Sequence, residues 1–310
     1  MKDKEHFMQK TIVVWLGALL CCALWGSAFP CIKIGYRLFD IASGDVAAQI
    51  LFAGCRFTLA GVLALAIGSA LNREWLVPKR RSYGRIAKLA LLQTVAQYIF
   101  FYVGLANTTG VKASIIEGVN VFIAILVASL LFHQEKLSAA KILGCVIGFA
   151  GVVLVNISGG GLDLEFHFTG EGFIFLSTIA YAFSSVFLKR YSKEDNPVLL
   201  SGWQFVFGGL VMIVCGLLAG GRLFEWSVAG VLMLLYMAVI SAVAYSLWGI
   251  LLKYNPVSKV AVFGFMNPVF GVILSAILLH EGDSIGVMCL VSLALVCAGI
   301  YIVNRGEETA

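Results

Sequence analysis

Residues 11–32 read TIVVWLGALLCCALWGSAFPCI, a run from Thr11 to Ile32 without one charge. A helix needs about 20 predominantly apolar residues to cross the hydrocarbon core of a bilayer, and this stretch is long enough. The pattern recurs along the chain. Leu89–Val111, Ile142–Leu162, Gly172–Leu188, Asn196–Gly221, Trp226–Leu252, Val260–His280 and Ser284–Asn304 are also uncharged. Val46–Leu71 and Ala113–Phe132 are broken only by Arg56 and Glu117. Ten membrane spans are predicted. Lipid supplies no hydrogen bonds to the backbone, so each must be a helix. The composition agrees: 60% of the chain is hydrophobic and 13% charged, where a soluble domain carries about a quarter charged residues. That excess has no soluble core to fill. It excludes a soluble enzyme, a nucleic-acid binder and a disordered chain.

The basic start and the small residues Gly26, Ser27 and Ala28 also suit a secretory signal, but the apolar run is long for one. It is read as the first span. Ten spans return both termini to one side. With that side in the cytoplasm, 17 of the 22 Lys and Arg residues lie inside, and four (Lys33, Arg37, Lys112, Arg222) lie outside, with Arg56 within a span. The positive-inside rule then places both termini in the cytoplasm of a multi-pass plasma (inner) membrane protein. The cluster Lys79, Arg80, Arg81 belongs to this topology signal, not to a nucleic-acid patch.

The eight cysteines lie in or at the ends of spans and read as small packing residues. There is no Cys-x-x-Cys or His-Glu-x-x-His motif, and His133 and His280 fall at opposite membrane faces. No metal and no cofactor is expected.

The two halves align with each other. Residues 25–33 (WGSAFPCIK) match 181–189 (YAFSSVFLK), and 53–61 (AGCRFTLAG) match 201–209 (SGWQFVFGG). Likewise 131–135 (LFHQE) match 277–281 (ILLHE), and 151–156 (GVVLVN) match 299–304 (GIYIVN). Five spans per half is an odd number, so the second half enters the membrane upside down, a common build of secondary transporters. The fold expected is an all-α polytopic membrane protein of ten transmembrane helices in two inverted five-helix repeats. The repeats occupy 11–157 and 171–304, with an external connecting loop at 158–170 and cytoplasmic tails at 1–10 and 305–310. There is no phosphate-binding Gly-x-x-x-x-Gly-Lys-[Ser/Thr] loop and hence no ATPase motif.

Trp25, Gly26 and Ser27 with Lys33, Arg56-Phe57, Glu135 and Glu281 after the fourth and ninth spans, and Asn267-Pro268 carry a resemblance. The chain resembles the ten-span EamA-type branch of the drug/metabolite transporter superfamily over about residues 11–304. The resemblance implies a secondary transporter, not an enzyme, and at the family level efflux of an amino acid or related metabolite. One departure is visible. Pro268 precedes Glu281 by 13 residues, where Phe122 stands before Glu135, so the fourth span is expected to be less kinked than the ninth.

Ionisable groups inside a membrane cost about 2.5–3.5 kcal/mol each on insertion scales and face the protein or a wet cavity. Arg56 and Glu117 align with Gln204 and Phe263 in the other half, so repeat symmetry does not explain them. Arg56 can grip a carboxylate or phosphate through two parallel hydrogen bonds, and Glu117 is a candidate for proton coupling. Both also suit a structural ion pair, or Arg56 a bond to backbone carbonyls. In the third span Gln93, Thr94, Gln97, Tyr98, Phe101 and Tyr102 offer polar and aromatic groups, and Thr94, Gln97, Tyr98 and Phe101 share a helix face. The expected substrate-binding set is Trp25, Ser27, Arg56, Gln93, Gln97, Tyr98, Tyr102, Glu117, Asn120, Tyr181, Ser185, Tyr245, Trp248 and Asn267.

The function expected is secondary active transport of a small polar or amphipathic metabolite by alternating access. The partners are that small-molecule substrate and the lipid bilayer. A homodimer is also considered, through the small-residue face of Gly144, Gly148 and Gly151. Nucleotide-sugar or phosphate-ester exchange is the alternative, and it would want more than one buried basic residue. An intramembrane enzyme or a lipid flippase ranks below, because Glu117 has no catalytic companion in mid-membrane.

Overall fold

The computed structural model describes residues 2–42, 44–108, 110–157, 166–223, 225–278 and 287–308. Glu281, His280 and most of the connecting loop expected at 158–170 lie outside the described residues. Among those described there are helices and loops but no strand. After a short helix, Lys2–Gln9, come α1 (Thr11–Leu38), α2 (Val46–Asn72) and α3 (Ser82–Ala106). Next are α4 (Gly110–Gly118, then Asn120–Leu126 and Val127–Leu131), α5 (Ala139–Ile157), α6 (Phe168–Tyr191), α7 (Pro197–Leu218) and α8 (Val228–Tyr254). The last are α9 (Val257–Ala261, Val262–Phe265, Met266–Leu278) and α10 (Val287–Glu308). Among the described residues six helices, α1, α2, α3, α6, α7 and α8, are long and apolar enough to cross a membrane. Shorter apolar helices run over Ile115–Leu131, Ala139–Leu154, Val257–Gly271 and Leu290–Gly306.

Several helix starts follow from capping chemistry. A helix leaves its first N–H groups unpaired, and a short polar side chain before it satisfies one of them. Asp45 Oδ1 accepts from Ala48 N at the start of α2. Asn196 Oδ1 accepts from Val198 N ahead of Pro197 in α7, and Ser227 Oγ accepts from Gly230 N in α8. α2 stops at Arg73, which takes the left-handed conformation (φ 54°).

The fourth span, expected to be less kinked than the ninth, is interrupted as well. α4 is interrupted between Gly118 and Asn120, where Val119 N bonds back to Ile116 O, three residues earlier. α9 tightens into a 3₁₀ turn over Val262–Phe265. With Glu135 aligned to Glu281, Val119 corresponds to Phe265, so the two helices break at matching points. Pro268 is in the first turn of the segment that follows, where a missing N–H costs little. The break in α4 therefore needs no proline.

Equivalent helices of the two halves pack on each other: α2 against α7 and α5 against α10. A Cβ on Gly54 would meet Gly209 O at 2.9 Å, and one on Gly61 would meet Gly202 O at 2.5 Å. As the residue number rises on α2 it falls on α7, so the pair runs antiparallel. Gly54 aligns with Gly202 and Gly61 with Gly209, so the two contacts are images of each other. Gly144 on Gly299 O (2.7 Å) and Gly151 on Ser292 O (2.8 Å) repeat the arrangement in α5 and α10. The face considered for a homodimer is thus filled within the chain, with Gly148 meeting the Phe265 ring. α1 packs on α8 and α9, and α6 on α3 and α4. Cys21 and Cys22 sit in the first of these seams, their thiols directed at Ala244 O (3.4 Å) and Phe263 O (3.1 Å).

Candidate functional site

These pairings leave a cavity of about 130 Å³ in the middle of the bundle. α1 contributes Trp25, Ala28 and Ile32, spaced three and seven residues along one face. α2 contributes Arg56, and α3 contributes Gln97, Tyr98 and Phe101. The broken helices supply the wall at their breaks, Glu117, Gly118 and Asn120 from α4, and Gly264, Asn267 and Pro268 from α9. Ser177, Thr178 and Tyr181 of α6 and Tyr245 of α8 complete it.

Nine of the expected residues therefore share one cavity: Trp25, Arg56, Gln97, Tyr98, Glu117, Asn120, Tyr181, Tyr245 and Asn267. Ser185 and Trp248 line a smaller space of about 10 Å³, which shares Asn120, Tyr181, Gly264 and Asn267 with the first. Three expected residues lie off the cavity. Ser27 turns back on its own helix and donates to Leu24 O at 2.7 Å. Tyr102 is buried against Tyr98 and Phe101, at ring separations of 6.2 and 5.6 Å. Gln93 faces α7, where Gln204 Nε2 donates to its Oε1 at 3.1 Å and Thr94 Oγ donates to Gln204 Oε1 at 2.7 Å. The cause is a π-helical stretch over Ala90–Ala96. Its wider turn shifts the register, so Thr94 no longer shares a face with Gln97, Tyr98 and Phe101. Such turns are frequent at functional sites. Ser177 and Thr178 went unrecognised in the sequence. The signal was available, because 177, 178, 181, 184 and 185 make a hydroxyl-bearing stripe at helical spacing.

Part of the polar chemistry of the cavity is unmet. Trp25 Nε1, Arg56 Nε and Nη1, Gln97 Oε1 and Asn267 Oδ1 have no hydrogen-bond partner among the described residues. Arg56 is 4% exposed. Its guanidinium carbon lies 4.5 Å from the centre of the Phe57 ring and 6.0 Å from that of Tyr98. Among the described residues no ion pair joins it to Glu117, and Glu117 has neither a hydrogen bond nor an ion pair. An unsatisfied buried polar group costs about 1–3 kcal/mol, and more when charged. Two unpaired ionisable groups facing one cavity are therefore expensive to keep. Gln204, at the repeat position of Arg56, spends both ends of its amide on Gln93 and Thr94.

Aromatic rings close around the polar groups. Trp25 meets Tyr245 and Trp248 edge-on, each at 5.0 Å between ring centres. The Tyr98 and Tyr245 hydroxyls are 2.8 Å apart. The contact joins α3 of the first half to α8 of the second.

Beyond the smaller space, the bundle is tied shut at the end that carries both chain termini. Asn255 Nδ2 reaches Met8 O, and Gly306 packs on Ala140 at this end. Glu135 accepts from Ser258 N and Ser258 Oγ at the start of α9, with Lys141 Nζ at 3.8 Å. Arg85 bonds Asp195 and Glu194, and Ser82 Oγ donates to Asp195 Oδ1 at 2.8 Å. The Arg85 hydrogen bond pulls the Glu194 carboxyl below its ordinary range. Gln134 Nε2 reaches Val186 O. Lys189 donates to Leu252 O and Asn255 O at the end of α8. The Glu135–Lys141 pair and the Lys189 bonds each lie within one half; each of the other contacts joins one half of the chain to the other.

A model of the EamA-like transporter family matches residues 12–157 and again 168–305. Among curated proteins, the chain is similar to a chloroplastic WAT1-related protein of Arabidopsis thaliana, 26% identical over 96% of this chain and 70% of that one. It is similar to an uncharacterized transporter of Bacillus subtilis, 24% identical over 92% and 89%. A probable amino-acid metabolite efflux pump of Salmonella typhimurium is 26% identical over 92% of both chains. One solved crystal structure superposes with a TM-score of 0.79 at 15% identity, covering 96% of this chain and 98% of that one. At that identity the likeness speaks for the fold alone.

Proposed function

The chain belongs to the EamA-like transporter family, and we propose that it is a secondary active exporter whose central cavity binds a small amphipathic metabolite of the amino-acid class. Ten spans in two inverted five-helix repeats, 11–157 and 171–304, carry it through alternating access. The antiparallel packing of equivalent helices and the matched breaks in α4 and α9 support the inverted arrangement. The basic residues support placing both termini in the cytoplasm.

The observation that carries the reading is the unpaired Arg56 in a cavity walled by aromatic rings. The guanidinium suits a carboxylate, while Trp25, Phe101 and Tyr245 suit an apolar or aromatic side chain. Phosphate-ester exchange is less well supported, because a doubly charged group would want a second free cation. The other buried basic side chains, Lys141 and Lys259, bond to Lys136 O and Gln9 O at the tied end.

Protein reconstituted in liposomes and offered a mixed metabolite panel is expected to counterflow at least one amino acid without ATP. Hydrolysis products in place of exchange would overturn the reading. The tied end acts as the inner gate. Glu135→Ala removes the carboxylate that holds Ser258, and Ser185→Cys places a thiol in the space behind. In the double variant a membrane-impermeant thiol reagent applied from the side of the chain termini is expected to label that cysteine several-fold faster than in Ser185→Cys alone. Equal labelling would remove Glu135 from the gate.

A further inference from the structure

The loop between α2 and α3, residues 73–81, is basic and is built to an unusual plan. It is pinned from inside. Leu76 N donates to Ser69 Oγ at 3.1 Å, Leu76 O accepts from Trp203 Nε1 at 2.8 Å, and Pro78 is buried. The residues alternating with these anchors point away from the protein. Trp75 is 83% exposed and Val77 is 64% exposed. The loop holds Arg73, Lys79, Arg80 and Arg81 against one carboxylate, Glu74. Arg81 lies 3.7 Å from Glu194, and Arg85 is bonded to Glu194 and Asp195. Arg73, Lys79 and Arg80 are exposed and make no ion pair among the described residues.

We propose that this loop is a binding site for an anionic phospholipid, with Arg73, Lys79 and Arg80 holding the headgroup phosphate and Trp75 seated at the membrane interface. Tryptophan favours the headgroup level, where its ring is half apolar and half wet. Basic side chains beside a membrane are drawn to anionic headgroups, each adding to the attraction. A topology signal needs only the charges. It does not need a rigid loop that turns a tryptophan and a valine outward between them. The site is independent of the central cavity and of what the cavity transports.

The test uses the full chain in detergent with equal amounts of phosphatidylglycerol and phosphatidylcholine, read by native mass spectrometry. The wild-type protein is expected to retain phosphatidylglycerol over phosphatidylcholine by about tenfold. The combined Arg73→Gln, Lys79→Gln and Arg80→Gln variant is expected to lose that preference with its melting temperature unchanged. Arg37→Gln with Arg222→Gln, at the other end of the bundle, is expected to keep it. Should the triple variant melt early, the Lys79→Gln and Trp75→Ala single variants carry the test, each expected to lower retention. Equal retention of the two lipids by the wild type, or an unchanged preference in the variants, overturns the proposal. So does displacement of the lipid by millimolar inorganic phosphate, which would assign the patch to free anions.

Discussion

Arg56→Gln is expected to weaken substrate affinity on the order of a hundredfold while leaving the protein folded. A charge-assisted hydrogen bond contributes about 1.5–3 kcal/mol, and 1.4 kcal/mol is a factor of ten in affinity. Losing a two-pronged grip on a carboxylate therefore reaches two orders of magnitude. Folding is expected to survive because Arg56 makes no ion pair among the described residues. Its Nε and Nη1 are without partners among the described residues, and the rings it contacts, Phe57 and Tyr98, also pack on each other at 4.4 Å. Glutamine is also the residue that the other half places at this point. The measurement is counterflow at graded substrate concentration beside the yield and melting temperature of the purified variant. Arg56→Lys is expected to recover part of the affinity, since it restores the charge but not the fork. Loss of folded protein in Arg56→Gln would make the residue structural.

Glu117→Gln is expected to abolish transport driven by a pH gradient while exchange of substrate for substrate continues. Glutamine keeps the shape of the side chain but cannot take up and release a proton. The carboxylate has no competing partner among the described residues and faces the same cavity as Tyr245 and Asn120. One pH unit is worth about 1.4 kcal/mol per proton, enough to sustain a tenfold solute gradient at one proton per substrate. The readout is substrate accumulation in vesicles with and without an imposed gradient, the counterflow rate serving as control. A variant that still follows the gradient would move proton coupling to another group.

Much of this architecture is legible in the amino-acid sequence because lipid enforces it. A charge inside a span is costly, so the uncharged runs mark the helices, and Arg56 and Glu117 stand out as exceptions. The face of α3 was not legible beyond Gln97. Spacing arguments assume 3.6 residues per turn, and the π-helical Ala90–Ala96 stretch departs from that, sending Gln93 and Thr94 to Gln204. The break in α4 was hidden for a related reason. Proline is the visible mark of a broken helix, and Val119 breaks α4 without one. Ser27 looked like a cavity residue by its place in the span, but a serine inside a helix readily satisfies itself on the preceding turn. Ser177 and Thr178 went unnoticed because small hydroxyls cost little in a membrane helix and disturb no hydropathy pattern.

The claim that Arg56 reads a carboxylate in the central cavity is tested most directly by the substrate itself. Wild-type protein in liposomes is offered, at equal concentration, an amphipathic amino acid that it counterflows and the carboxamide of the same amino acid. The carboxamide keeps the side chain and the amine but loses the negative charge. Exchange of the amino acid with little or no exchange of the carboxamide, and loss of that discrimination in Arg56→Gln, is the predicted result. Equal exchange of both compounds by the wild-type protein would contradict it.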